Sequence, residues 1–230
     1  MANQQILQEI SSKLNIHFKD SNLLFQALVH RSYINEHPEL ETNNERLEFL
    51  GDAVLELVIT EYLYTNYPLP EGELTLLRSA LVKKDNLAKV AGDYTIGQYL
   101  FLSKGEEKSG GREKSYLLAN ALEAIIGAVY LDQGLEIARA FVITIIIPTL
   151  QEIVEQKRHI DAKSLFQEKS QAILSITPQY KLQSESGPAH DRLFVMAVYH
   201  GDDMIATGQG QSKQQAEQAA ARNALAAKQW

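Results

Sequence analysis

The stretch Asn43–Leu57 reads Asn-Asn-Glu-Arg-Leu-Glu-Phe-Leu-Gly-Asp-Ala-Val-Leu-Glu-Leu, with Glu45, Glu48 and Asp52 at i, i+3 and i+7. At about 100° per helical residue the three carboxylates share a sector roughly 60° wide. Leu47, Leu50, Val54, Leu57 and Val58 form an apolar stripe on the other side. Such a row is either a solvated acidic face or half of a metal site. Phe49 projects about 40° from Glu45, in among the acids, where a solvated face has no use for a ring. An acidic row with an aromatic beside it points to a metal site close to an interface.

A second polar pair lies in Tyr116–Leu131, where Asn120 and Glu123 are the only strongly polar side chains of a segment apolar nearly all round. Three residues apart, they share one helical face. A carboxylate buried without a partner is costly, so Glu123 must meet a cation. That cation is either an arginine such as Arg46 or Arg78, or a metal ion shared with the acidic helix. The metal accounts for both helices at once. Oxygen donors from Asp, Glu and an Asn carbonyl, with no Cys and no His nearby, select Mg²⁺, with Mn²⁺ as a substitute, over Zn²⁺. Glu45 and Asp52 stand about 10 Å apart along the axis, whereas Glu48 and Asp52 are one turn apart. The expected ligand set is therefore Glu48, Asp52, Asn120 and Glu123, with Glu45 outside it or near a second ion.

The elements that position these groups follow from periodicity and caps. Gln4–Leu14 is a short amphipathic segment, and Asp20 or Ser21 caps a helix carrying Leu23, Leu24, Ala27 and Leu28 into His30-Arg31-Ser32. That tripeptide reads as a capped core motif rather than a catalytic group. Asn43 or Asn44 caps the acidic helix, which Pro68 and Pro70 stop. A further helix starts at Glu71. Ser103–Ser115 reads as a mobile polar loop, with Lys104, Lys108, Arg112 and Lys114 either touching a phosphate backbone or simply solvated. Leu135–Val154 is helical and interrupted at Pro148. The last third changes character: a helix from Ala162, strands over Gln179–Ser184 and Leu193–Tyr199, a turn at Gly201-Asp-Asp, a strand to Gly208 and a final helix capped by Ser212. The expectation is two domains, 1–156 and 161–230, joined by a linker at 157–160.

Composition bounds the rest. The 230 residues hold 45% apolar side chains, enough for a packed core. The absence of cysteine fits a reducing cytosol. The N-terminus lacks a signal-peptide pattern, and Ala140–Ile147 is too short to span a bilayer, so a soluble cytoplasmic protein with no membrane partner is expected. The net charge of −7 belongs wholly to residues 1–158, where 15 Lys and Arg face 22 Asp and Glu; residues 159–230 hold seven of each. A basic footprint for nucleic acid is missing, and any such partner has to be recognised by local placement.

Asn44-Glu-Arg-Leu-Glu-Phe-Leu-Gly-Asp52 resembles the signature of the ribonuclease III family. The resemblance extends to His30-Arg-Ser-Tyr, to Glu71-Gly-Glu-Leu-Thr with Arg78, and to Ala119–Asp132, covering nearly the whole chain. It implies a mainly α protein: an all-helical endonuclease domain that forms a homodimer and hydrolyses double-stranded RNA with Mg²⁺, followed by a small α-β-β-β-α domain. By match to the motif, Asp52 and Glu123 are the catalytic carboxylates and bind metal together with Glu48. Phe49 corresponds to the aromatic that docks in a socket on the other subunit. Glu45 and Glu73 correspond to accessory acids lining the cleft. The family implies 5′-phosphate and 3′-hydroxyl products with short 3′ overhangs, and processing of ribosomal RNA precursors and other structured transcripts. Asn120 departs from the pattern, since the family often has Asp there; its carbonyl can still ligate Mg²⁺ but brings no charge.

The last third resembles a double-stranded RNA-binding domain, which reads two successive minor grooves and the phosphates between them. Gln167 and Gln171 match the first-helix face that meets 2′-hydroxyls, His190 lies in the matching loop Gly187-Pro-Ala-His190, and Lys213 matches the phosphate clamp. Directly after Lys213, where a second lysine is usual, stands Gln214 and then Gln215; the lost phosphate contact and the neutral balance of this domain predict modest affinity. The alternative is a non-cleaving double-stranded RNA-binding protein that retains the fold, supported only by Asn120 and the missing lysine. A small-molecule phosphohydrolase would leave the last third without a purpose.

Overall fold

Helical periodicity in the first two-thirds becomes ten helices in the computed structural model, which describes residues 2–155, 162–188 and 192–230. They are α1 (Ala2–Lys13), α2 (Ser21–Leu28), α3 (Arg31–Ile34), α4 (Glu45–Asn66), α5 (Glu71–Leu81), α6 (Lys84–Asp93), α7 (Lys104–Lys108), α8 (Ser115–Gln133), α9 (Leu135–Ile146) and α10 (Thr149–Glu155), with 3-10 turns at Ile96–Tyr99 and Gly111–Glu113. The last third adds α11 (Ala162–Leu174), β1 (Gln179–Ser186), β2 (Leu193–His200), β3 (Asp203–Gly210) and α12 (Lys213–Lys228). The chain divides into two units, residues 1–159 and 160–230. The fold is mainly α, as expected. The predicted linker at 157–160 lies outside the described residues.

In the first unit, α8 is buried through its middle and exposed only near its ends. Leu117, Ala119 and every residue from Ala121 to Val129 are buried, so it forms the axis around which α2, α4, α6 and α9 pack. The carboxylate of Asp132, near its end, accepts the backbone N–H groups of Lys19 and Asp20, each at 2.8 Å. This ties α8 to the entry of α2, where the Asp20 side chain in turn caps Asn22 N–H at 2.9 Å. At the start of α4, Asn44 is the capping residue by position, but the side-chain bond comes from Asn43, whose Oδ1 accepts Glu45 N–H at 3.0 Å.

Among the described residues no single helix is long and apolar enough to cross a membrane. The bent pair α9–α10 passes on length and composition, but its Phe141, Val142, Ile145, Ile146, Leu150 and Ile153 are buried in the core.

Ser103–Ser115 is a correction. It folds into α7 and a 3-10 turn, and two of its four basic side chains, Arg112 and Lys114, are used internally, while Lys104 and Lys108 are exposed. The Arg112 guanidinium donates to the carbonyls of Gly97, Gln98 and Leu100 at 2.9–3.0 Å and to Glu107 at 2.7 Å. Lys114 donates to Glu106 at 2.6 Å and to Ser109 at 2.9 Å.

In the second unit the strands form an antiparallel sheet in the order β1-β2-β3. Phe166, Ala162, Val198, Ala220, Ala221, Ala224 and Leu225 make its core between sheet and helices. A Cβ on Gly208 would lie 2.0 Å from Ala220 N and 2.5 Å from Ala219 C. The Gly208-Gln-Gly210 segment therefore serves the close approach of α12 to the sheet. β1 is mostly exposed, with only Tyr180 partly covered by the core, so the alternation read from its sequence is not matched by alternating burial.

Candidate active site

The carboxylates meet because two glycines let two helix backbones touch. A Cβ on Gly51 would stand 1.7 Å from Glu123 O, and one on Gly127 would stand 2.3 Å from Leu47 O. Gly51 lies between Glu48 and Asp52 on α4, so the closest approach of α4 to α8 falls at the acidic row. Glu123, only 6% exposed, faces it.

A cleft of about 610 Å³ results, lined by Glu45, Glu48, Phe49, Asp52, Asn120 and Glu123 together with His30, Asn44, Lys84, Tyr116 and Leu117. Six of the residues singled out from sequence thus share one cavity. Glu73 does not: it stands in the first turn of α5, beyond the far end of α4, some 30 Å of helix away from Glu45. Phe49 is 82% exposed at the rim.

Burial pushes the Glu123 carboxyl up to about 7; Asp52 and Glu48 push in the same direction and Lys84 opposes them. Burial also raises Glu48, with Glu45 and Asp52 adding to it while Lys84 and the Asn120 amide favour its charged form. Neither candidate arginine answers Glu123. Arg78 pairs with Glu56 at 3.2 Å, and Arg46 lines a neighbouring depression. The cation that does act on it is Lys84, whose Nζ donates to Asn120 Oδ1 at 3.4 Å. Sequence reasoning missed this lysine, and nothing in its spacing from Asn120 could have shown it. His30 lines the cleft as well. Its Nδ1 accepts Ser32 N–H at 3.2 Å, capping α3, and burial lowers its pKa against the pull of Glu106 and Glu45.

Hard oxygen donors surrounded by mutual repulsion are the chemistry a divalent cation fits. As the side chains stand, no group of three or more His, Asp or Glu among the described residues is drawn together closely enough to hold a metal ion. The donors share the cleft without converging on a point.

The family model described as Ribonuclease-III-like matches residues 20–150, and the double-stranded RNA binding motif matches residues 162–228. This chain belongs to the ribonuclease III family. A protein named Ribonuclease 3 from Enterococcus faecalis (strain ATCC 700802 / V583) is 46% identical over 223 residues, covering 96% of each chain. Another, from Chloroflexus aurantiacus (strain ATCC 29364 / DSM 637 / Y-400-fl), is 47% identical over 96% of this chain and 91% of its own. Among solved structures, the nuclease domain of ribonuclease III from Campylobacter jejuni matches with a TM-score of 0.58 and 43% identity, over 62% of this chain and 96% of that one. That structure is described as flexible in a region involved in dimer formation.

On the motif domain of this ribonuclease III family member, Gln167 and Gln171 line a shallow groove with Ser164, Glu168 and Ala172. Lys213 opens α12, whose cap is Ser212 Oγ accepting Gln215 N–H at 3.2 Å. Gln215 Oε1 accepts Gln211 N–H at 3.0 Å in return, a close variant of a capping box. The glutamine with this structural use is Gln215, one place beyond Gln214, which stands where the second lysine is usual. His190 lies outside the described residues.

Proposed function

We propose that the protein is a Mg²⁺-dependent endonuclease of double-stranded RNA, acting as a homodimer. The single observation that carries this is the buried Glu123 brought against Glu48 and Asp52 in one cleft, in a chain that also holds a double-stranded RNA binding motif. Glu48, Asp52, Asn120 and Glu123 hold the metal, Mg²⁺ or in its place Mn²⁺, with Asp52 and Glu123 nearest the reaction. When bound, the ion supplies an activated water and charge neutralisation at the phosphodiester, leaving 5′-phosphate and 3′-hydroxyl ends. Glu45 adds negative potential at the cleft mouth. Gln167, Gln171, His190 and Lys213 hold the duplex by its shape and backbone. Paired cuts with short 3′ overhangs and work on ribosomal RNA precursors belong to the same reading.

The dimer is supported by the outer face of α4. Phe49, Ala53, Leu57, Thr60 and Tyr64 are exposed and fall within about 80° of one another around the helix. Phe49 and Tyr64 lie at similar distances, about 12 Å and about 10 Å, on either side of Leu57 along the axis. A twofold axis near Leu57 would lay Phe49 against the Tyr64 end of a second copy. There a cleft of about 630 Å³ lined by Leu63, Tyr64, Tyr67, Pro68, Leu69 and Leu74 is open to receive a ring. The same pairing would bring Glu73 to the cleft from the other subunit, which accounts for its place outside the cleft of its own chain.

One gel tests the activity. Duplex RNA is incubated with the protein in Mg²⁺ and in Ca²⁺, and the series is repeated with Glu123→Gln. Cleavage in Mg²⁺ alone, lost in the variant while RNA binding persists, is the expected outcome. Binding without cleavage in every lane would replace the nuclease with a non-cleaving RNA-binding protein.

A further inference from the structure

The acidic cleft contains a cation of its own. Lys84, the first residue of α6, lines it and donates to Asn120 Oδ1 at 3.4 Å. It is the one Lys or Arg among the described residues that line this cleft. Arg31 reaches Glu45 from outside at 3.8 Å, with both side chains largely exposed. The charge on Lys84 favours the ionised form of both Glu48 and Glu123. Asn120 suits the arrangement because an amide has two faces: its oxygen accepts from Lys84 while its NH₂ can donate to Glu48. An aspartate there could accept from the lysine but would present Glu48 with another negative charge.

We propose that Lys84 is the tethered counter-cation of this cleft, holding Asn120 and offsetting Glu48 and Glu123 until a divalent ion displaces its influence. This rests on the metal-site reading above. Four carboxylates, Glu45, Glu48, Asp52 and Glu123, share the cavity, and the side chain that answers them is a compact ammonium on a flexible stem. A metal ion entering the cleft therefore meets a positive charge already in place. The carboxylates alone would bind it more tightly than they do with Lys84 beside them. Lys84 is a positioning and affinity-setting residue; the reaction needs no proton or electron from it.

Binding of Mn²⁺ to the full-length protein without RNA, followed by the electron paramagnetic signal of the free ion at neutral pH, reads this directly. Lys84→Met is expected to bind Mn²⁺ about tenfold more tightly than the unaltered chain, the scale of a unit charge a few ångströms from a divalent ion in a half-open cleft. Lys84→Arg keeps the charge, and Lys83→Met removes a neighbour that pairs with Asp85 at 3.5 Å instead; both should stay within about threefold of the unaltered chain, because charge at this site is the operative variable. A second readout is thermal unfolding in EDTA. Lys84→Met should melt lower than the unaltered chain and gain more from added Mn²⁺. Equal or weaker Mn²⁺ binding by Lys84→Met overturns the role of Lys84 and leaves the nuclease standing. No Mn²⁺ uptake by any variant at millimolar concentration, with no cleavage, overturns the metal site and this role together.

Discussion

Glu123 is the carboxylate of the cleft that its surroundings perturb most. Its carboxyl, ordinarily near 4.5, is pushed up to about 7 by burial, with Asp52 and Glu48 adding repulsion that Lys84 only partly offsets. Between those two values the unfolded chain has released a proton that the folded chain retains. Folding stability therefore falls as pH rises through this window, and the loss is complete above about 7. The span corresponds to roughly 3 kcal/mol at most. Denaturant unfolding in EDTA at pH 5 and pH 7.5 should show this slope in the unaltered chain and its absence in Glu123→Gln. Saturating Mg²⁺ should restore stability at the higher pH. A stability difference between the two proteins that does not change with pH would rule this out. The burial of Glu123 was legible in sequence, since a lone carboxylate in an apolar helix has nowhere else to go. Its cation was not. Helical spacing tells which residues share a face, whereas the neighbour that answers a charge comes from another element, here the start of α6 rather than Arg46 or Arg78.

At the scale of elements, the site is a product of one helix crossing. Gly51 and Gly127 allow the α4 and α8 backbones to meet, and the added methyl of Gly51→Ala would fall on the Glu123 carbonyl, at 1.7 Å. Backbone cannot yield as a flexible side chain can, so the helices must part. This should cost about 3 kcal/mol or more and move Glu123 away from Glu48 and Asp52. Gly92→Ala is the contrasting case: it lies in α6, and a Cβ there meets nothing within 4 Å. It should be neutral or stabilise by about 0.5 kcal/mol through the unfolded chain and helix propensity. Measured side by side in unfolding and in cleavage at a temperature where both are folded, Gly51→Ala should lose both properties and Gly92→Ala neither. If Gly51→Ala kept its full cleavage rate, the crossing would not be what sets the site. The helices themselves were readable from apolar periodicity and caps, and α8 from its lack of a polar face. Ser103–Ser115 was not, because composition reports how polar a segment is and not where its hydrogen bonds go. Arg112 spends its guanidinium on three carbonyls of the preceding turn, and the segment is knitted in place although its composition is that of a solvated loop.

The whole molecule sets two constraints on how RNA is met. The net charge of −7 lies outside the motif domain, whose Lys and Arg equal its Asp and Glu in number. Affinity must then come from shape-matched contacts with few phosphates neutralised, and binding should fall only shallowly with salt compared with a strongly basic domain. The second is the proposed pairing of chains. Phe49 is 82% exposed and Tyr64 78%, with Leu57 at 53% between them, on a helix whose opposite side is fully committed to the core. An apolar stripe of this kind on a folded chain calls for a partner, and its near-symmetry about Leu57 suits a second copy of itself. Phe49 is a poor residue on which to test this, because it also lines the acidic cleft. Leu57 does not line that cleft. Leu57→Asp should leave the fold intact, sediment as a monomer and lose most double-strand cleavage, while Mn²⁺ binding in the cleft of each chain persists. A monomer that still cut duplex RNA at the full rate would show that each cleft is complete alone. The aromatic at position 49 would then serve only to guard its own rim, and Glu73 would have no part in the site.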